Sequence, residues 1–359
     1  MAGLTVGIIG LGYGRAHISG FQANGCQVVA LCQRDEASAR KVADAYGVPH
    51  VFGRWEEMLE RARPEIVVIA TPPHLHLAVA RAAFARGAHV LCEKPVAMTT
   101  AEARAMVEAG RRAGRVAMTG FNWRFTAAMQ TLHAMAASGE IGRVFHLAGR
   151  WLGGRMAGGT APASWRMDRA QAAHGAMGDM GVHLVDIIRW NFGEFRRVVA
   201  RSGIAYPGRE LPGLPRPADA EDWCIILGEL ENGTHVTLTA SRAAHGANEH
   251  ALEVYGTTAA VRYRLTRDGS RWWAGDLAAS QGGAFTPVEP RVPVPASEGG
   301  DAADAIGRTT IAPLVARFLE GIRTGTPPSP SLEEGLRAQA VLDAAVESVQ
   351  RNDWVEVAA

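Results

Sequence analysis

Leu4-Thr5-Val6-Gly7-Ile8-Ile9 runs directly into Gly10-Leu11-Gly12-Tyr13-Gly14-Arg15-Ala16-His17. The continuous apolar run reads as a strand. The glycines then turn the chain into a helix. Gly10 and Gly12 let the backbone turn tightly and approach a pyrophosphate seated on the helix N-terminus. The third glycine, Gly14, comes one place before its position in the GxGxxG pattern, where Arg15 stands. Tyr13 and Arg15 belong to the same expected cofactor loop. The pattern then repeats. Strands are expected over 27–31, 51–52, 65–70, 88–92 and 116–119, and helices over 36–46, 75–86 and 100–113. Gly47, Gly87 and Gly114 stop those helices. Strands alternating with helices predict an α/β fold with a doubly wound parallel sheet.

Ligands of such sheets bind beyond the carboxyl ends of the strands. That edge is expected to carry the glycine loop, Thr71-Pro72-Pro73-His74 with His76 close behind, and Glu93-Lys94-Pro95. Lys94 falls on a strand-to-helix turn. Pro95 restricts its backbone, and Thr99 with Glu102 has the spacing of a capping box. A lysine with a fixed direction suits a general acid or base. After the second strand, Gln33 stands where an acid would accept hydrogen bonds from the ribose of NAD, and Arg34 can meet a 2′-phosphate. The balance leans to NADP over NAD, with Asp35 able to restore NAD by a small loop shift.

A second polar feature lies in an apolar helix expected over 175–190. Asp179, His183 and Asp186, at i, i+4 and i+7, share one face. A hydrogen-bonded core network would account for them, and so would a site, since two carboxylates flanking a histidine are costly to bury without a purpose. A metal held by Asp179 and His183 would want a third ligand, and none is evident in the sequence, so no metal is expected.

The chain has 359 residues, enough for about two domains, taken as 1–122 and 123–359. A formal net charge of +1 offers nothing to nucleic acid or an anionic membrane. The four cysteines are scattered, Cys92 and Cys224 within expected strands and Cys32 at the end of one. Buried reduced thiols and a cytoplasmic location follow. The N-terminus lacks the charge and cleavage pattern of a signal peptide, and no apolar run reaches the ~18 residues of a membrane helix.

The glycine loop with His17, Thr71-Pro72-Pro73-His74-Leu75-His76, Glu93-Lys94-Pro95, Asn122-Trp123-Arg124-Phe125, Trp165-Arg166 and Asp179-x-Gly181-x-His183-x-x-Asp186 together resemble the Gfo/Idh/MocA oxidoreductases. The order and spacing match over essentially the whole chain. The resemblance implies an N-terminal Rossmann domain and a C-terminal α/β domain with a large, mostly antiparallel open sheet. Strands over 144–151, 198–204, 223–230, 235–240, 250–255 and 260–265 fit it, as do late helices over 302–323 and 332–350. Long loops are expected over 201–219 and 280–300. The resemblance also implies an NAD(P)-dependent enzyme acting on a CH–OH group of a sugar, cyclitol or related polyol. Lys94 and His183 would carry the hydroxyl proton, with Asp179 orienting them. Lys94, Trp123, Arg124, Trp165, Arg166, His174, Asp179 and His183 would meet the substrate. Gly10, Gly12, Tyr13, Gly14, Arg15, Gln33, Arg34, Thr71, Pro72, His74, His76, Glu93 and Lys94 would hold the cofactor. His174 replaces the first of the glycines that often precede the aspartate, either lining the pocket or lying on a surface loop. Relatives also include an NAD-using glycosidase and non-catalytic dinucleotide-binding regulators. The open sheet would make a homodimer or homotetramer.

Overall fold

The computed structural model describes residues 3–158, 164–210, 217–266, 272–295 and 301–358. The chain forms two compact units, Met1–Phe125 with Pro295–Leu336, and Thr126–Val294 with Arg337–Ala359. Two contiguous domains, 1–122 and 123–359, are therefore not what the chain makes. The first boundary falls at Phe125, and a late segment returns to the first unit. The reason is the cover needed by the first helix, whose Ala16, Ile18 and Phe21 are buried. Helical segments Ala302–Ile306, Gly307–Ile311 and Ala312–Thr324 supply it. Contact is so close that a Cβ on Gly307 would collide with Ser19 and Ala16, and one on Gly20 would lie 2.5 Å from Ile311. The middle of these segments is π-helical, an irregularity that no periodicity announces.

The first unit holds a six-stranded sheet of β1 (Thr5–Ile9), β2 (Gln27–Cys32), β3 (His50–Phe52), β4 (Ile66–Ile69), β5 (His89–Cys92) and β6 (Ala117–Thr119), in the order β3-β2-β1-β4-β5-β6. Every pairing is parallel. The strand order reverses between β1 and β4, where a doubly wound sheet opens its ligand crevice. β4 is wholly buried, as its Ile-Val-Val-Ile composition requires. The connecting helices are α1 (Arg15–Gln22), α2 (Glu36–Tyr46), α3 (Trp55–Arg61), α4 (His76–Ala85) and α5 (Thr100–Ala113). α2 and α5 end on Gly47 and Gly114 in the left-handed conformation, as expected. Thr99 accepts from the Glu102 amide at 3.2 Å, while the Glu102 carboxylate reaches back to the Met98 amide rather than to Thr99. α3 is an addition to the expected elements. Its seven residues bury only Met58 and Leu59, too short a stripe to show helical periodicity.

The second unit contains a nine-stranded sheet among the described residues: β7 (Val144–Gly153), β8 (Phe195–Gly203), β9 (Trp223–Leu230), β10 (His235–Ser241), β11 (Asn248–Gly256), β12 (Ala260–Thr266), β13 (Asp276–Ser280), β14 (Thr286–Pro287) and β15 (Val355–Glu356). Its order is β14-β13-β12-β11-β7-β10-β9-β8-β15. Only β7 and β10 pair in parallel. Alternation along β9, with Cys224 and Ile226 buried and Ile225 and Leu227 exposed, leaves one face open. β13, β14 and β15 are also additions, being short strands at or near the sheet edges. Residues 211–216 and 296–300 of the two expected long loops lie outside the described residues. The helix Leu332–Arg351 starts in the first unit and ends in the second.

Candidate functional site

In the first unit, β1 delivers the glycine loop to the N-terminus of α1. Gly10 has φ +89° and sits so close to the end of β4 that a Cβ would collide with the Ala70 carbonyl. A Cβ on Gly14, the N-cap of α1, would strike the Gly10 carbonyl. The third glycine is thus displaced by one because it serves this loop's own closure. Gly12 differs from both. It is exposed, and nothing lies within 4 Å of the Cβ it lacks. That combination, a tight turn with one open glycine at a helix N-terminus, fits a pyrophosphate.

The other strand ends close on the same edge of the sheet. Glu93 follows β5 and is buried, its carboxylate held by His17 of α1 at 2.8 Å and by the Lys94 amide at 3.3 Å. A Cβ on Gly120 would come within 2.6 Å of that carboxylate. Lys94 is half-buried and its peptide bond to Pro95 is cis. Thr71 follows β4 and leads into the single turn Pro73–Leu75, where His74 is exposed. His76 is buried, and burial lowers its pKa. Its Nε2 lies 2.9 Å from the Thr71 carbonyl, and its Nδ1 lies 3.2 Å from the Val96 carbonyl and 3.3 Å from the Cys92 thiol. His76 ties the Thr71 turn to the Cys92–Val96 segment from inside.

At the end of β2, Gln33 is half-buried and Arg34 is exposed. Asp35 N-caps α2, accepting from the Ser38 amide at 3.1 Å and the Ser38 hydroxyl at 2.5 Å. These bonds hold its carboxyl below the usual range and occupy the group expected to restore an NAD preference. Arg15 pairs with Asp301, which caps the helix Ala302–Ile306.

In the second unit the expected single helix over 175–190 is two segments, a π-helical turn Met177–Gly181 and an α-helix Val182–Phe192. Asp179 lies in the π-helical turn, and His183 and Asp186 lie in the α-helix. His183 and Asp186 are buried, at 3% and 1% exposure, while the Asp179 side chain is 31% exposed. Asp179 lies 3.6 Å from the Arg166 guanidinium, which stacks on Trp165 at 4.4 Å. His183 stacks on Trp151 of β7, which stacks in turn on His250 of β11. His250 is absent from the expected residues, since a lone histidine in a strand gives no signal of what it will touch.

Buried charge fixes these groups. Asp222, ahead of β9, lies 3.2 Å from Arg242 and 3.6 Å from Arg209, all three buried. Arg242 donates to the Arg166 carbonyl at 2.8 Å and to the Ala220 carbonyl at 3.1 Å. Arg209 donates to the carbonyls of Met156 and Gly158. The turn bearing Trp165 and Arg166 is thereby held to the sheet.

The family model of the oxidoreductase family with an NAD-binding Rossmann fold matches residues 4–121, and that of the GFO/IDH/MocA C-terminal domain matches residues 129–262. The chain belongs to the Gfo/Idh/MocA oxidoreductase family. A levoglucosan dehydrogenase of Pseudarthrobacter phenanthrenivorans is 31% identical, with 99% of each chain covered. A D-apiose dehydrogenase of Paraburkholderia graminis is 27% identical, covering 98% of this chain and 88% of that one. Among solved structures, levoglucosan dehydrogenase in complex with NADH and levoglucosan superposes with a TM-score of 0.89 at 29% identity, covering 99% of this chain and 100% of that one.

As a Gfo/Idh/MocA oxidoreductase with an NAD-binding Rossmann domain, the chain keeps the glycine loop and Glu93-Lys94-Pro95 on one sheet edge. Other expected residues have structural occupations. Arg124 is 2% exposed and its guanidinium meets Glu334 at 2.7 Å and Ser329 at 2.9 Å. It anchors the start of the late helix, which argues against the substrate contact expected of it. Trp123 is buried at 2%. His174 is not on a surface loop. It is 6% exposed, 3.2 Å from Gln339, and burial lowers its pKa. The four cysteines are free, buried thiols, with Cys32 raised to about 12 by burial. Among the described residues no group of three or more His, Cys, Asp or Glu is arranged to hold a metal, and no helix is long and apolar enough to cross a membrane.

Proposed function

We propose that this oxidoreductase moves a hydride between a secondary alcohol of a neutral sugar or related polyol and a nicotinamide dinucleotide, with Lys94 as the proton carrier. The observation that carries the reading is Lys94 itself. It leaves β5 on the edge that also bears the glycine loop, on a turn braced by the buried His17–Glu93 pair. When bound, the dinucleotide supplies the hydride acceptor. Gly10, Gly12, Gly14 and the N-terminus of α1 would seat its pyrophosphate. A secondary alcohol that gives up a hydride must also give up its hydroxyl proton, so a base within hydrogen-bond reach is required. Lys94 and His183 take that role, and Asp179 accepts from a neighbouring hydroxyl. The levoglucosan and apiose dehydrogenases among its relatives support a sugar-like substrate. Arg166 beside Asp179 offers a donor and an acceptor together with their charges balanced, which suits neutral hydroxyl pairs over a carboxylate.

Gln33 in place of an acid, Arg34 exposed beside it and Asp35 committed to capping α2 together favour NADP over NAD. The open face of the second unit's sheet, with Ile225 and Leu227 exposed, serves a homodimer or homotetramer, and the free buried thiols suit the cytoplasm. The test is a screen of sugars and cyclitols with NAD and NADP in parallel, following reduced nicotinamide absorbance. Turnover with at least one neutral polyol is expected, abolished in Lys94→Ala. Sugar release without net cofactor reduction would replace this reading with a glycosidase, and dinucleotide binding without turnover would replace it with a regulator.

A further inference from the structure

Helices begin with amides that have no partner inside the helix. The segment carrying Asp179 and His183 solves this without a residue of its own. The Glu221 side chain accepts from the Gly175 amide at 2.6 Å and the Met177 amide at 3.0 Å, both through Oε1. The Glu221 carbonyl accepts from the Ala176 amide between them at 2.8 Å. One residue, remote in sequence and 3% exposed, thus satisfies three consecutive donors. The approach is so close that a Cβ on Gly175 would collide with the Glu221 backbone, which explains the glycine at that place. Oε2 of this buried carboxylate faces the half-exposed Arg169 guanidinium at 3.4 Å.

The π-helical turn begins at Met177, the last of these donors. Asp179 lies two residues further on, and His183 is the second residue of the helix that continues from the turn. An anchored start therefore sets where the wide turn places Asp179. The adjacent Asp222 holds Arg242 and through it the carbonyl of Arg166, the partner of Asp179. Both sides of the Asp179–Arg166 pair lead back to one dipeptide.

We propose that Glu221 is a positioning residue of the substrate half, acting through Asp179 and His183 by capping the helix that carries them. The proposal rests on the proton-carrier and hydroxyl-binding roles proposed for these two residues. It is tested with Glu221→Ala and Glu221→Gln in the full chain, alone and combined with His183→Ala. Steady-state kinetics are measured with a turned-over polyol, and cofactor affinity by titration of reduced-cofactor fluorescence. Glu221→Ala should lower kcat/KM by about ten- to a hundredfold, the scale of a misplaced reacting group, and leave cofactor Kd unchanged. Glu221→Gln keeps an acceptor oxygen for both amides and should recover turnover to within roughly threefold of wild type, since the half-exposed Arg169 that loses its partner can turn to solvent. In the His183→Ala background, Glu221→Ala should cost less than about twofold more, because residues acting as a unit are not additive.

Wild-type kinetics in Glu221→Ala would overturn the proposal, as would a Gln variant as impaired as Ala, or full additivity with His183→Ala. If Glu221→Ala does not fold, the Gln variant and its combination with His183→Ala decide the question by the same criteria. If His183→Ala and Asp179→Asn both keep wild-type turnover, the site reading falls and this proposal with it. If they lose turnover while Glu221→Ala keeps it, the positioning proposal alone falls.

Discussion

The two units hold their candidate residues in different ways. In the first unit the candidate surface is mostly main chain: three glycines, the first turn of α1 and the ends of β1, β4 and β5. Side chains there, His17, Glu93 and His76, point inward and brace the turns. In the second unit the functional groups are side chains, held by buried charge: Arg166 on Asp179, Arg242 and Arg209 on Asp222, and three amides on Glu221. The difference suits the ligands proposed for them. A dinucleotide has the same phosphates in every enzyme and can be met by backbone amides. A polyol is distinguished only by where its hydroxyls lie, which calls for placed side chains.

The sharpest challenge to this contrast is Lys94→Ala. Turnover should fall about a thousandfold, the scale of a lost general base, while cofactor affinity persists because backbone supplies it. Loss of both in stopped-flow and binding titrations would break the division. Asp222→Asn comes next. It leaves Arg242 and Arg209 buried without a full counter-charge, and urea unfolding should show about 3 kcal/mol lost, with the dinucleotide still bound by whatever remains folded. A smaller effect separates two neighbouring glycines. Gly14→Ala should lower Tm, because its Cβ meets the Gly10 carbonyl. Gly12→Ala should leave Tm in place and weaken the cofactor alone by roughly tenfold, since its Cβ would enter the space a phosphate needs. Arg34→Ala should raise the KM for NADP about tenfold, as loss of a charge-assisted hydrogen bond would, with little change for NAD. Equal changes for the two cofactors would remove the argument from Gln33 and Arg34.

The smallest expected effect concerns pH. His76 in the first unit and His174 in the second both have pKa values lowered by burial. The unfolded chain therefore binds protons that the folded chain refuses as pH falls. The stability they contribute is complete above the unfolded value of about 6.5 and is lost as pH falls below it. Thermal melts from pH 8 to 5 should slope downward on the acid side, and His76→Asn should flatten that slope. An unchanged slope would mean that other groups dominate.

Much of the first unit is legible in the order of its residues. An apolar strand, a glycine loop and a capped helix are local events, and α2 and α5 end where Gly47 and Gly114 say they should. The second unit is legible as strands because alternation on one face is also local. Several features are not. α3 is too short for its periodicity to register. The return of Pro295–Leu336 to the first unit depends on which surface α1 leaves uncovered. The π-helical turn at Met177–Gly181 breaks an otherwise helical spacing, so Asp179 and His183 read as more alike in exposure than they are. Arg124 reads as a substrate residue because an arginine beside tryptophan suits a sugar, yet its partner Glu334 lies far along the chain.

By itself, then, the sequence determined the family, the parallel sheet, the cofactor loop and the identity of Lys94, Asp179 and His183 as the residues to watch. These rest on periodicity, glycine placement and motif spacing, which act over a few residues. Only the tertiary structure decided which polar side chains are buried against partners and brace the fold. Glu221, Asp222, Arg242 and His17 gain their meaning from partners dozens of residues away. A buried charge must find a counter-charge or a row of amides, and where it finds one depends on how distant segments pack.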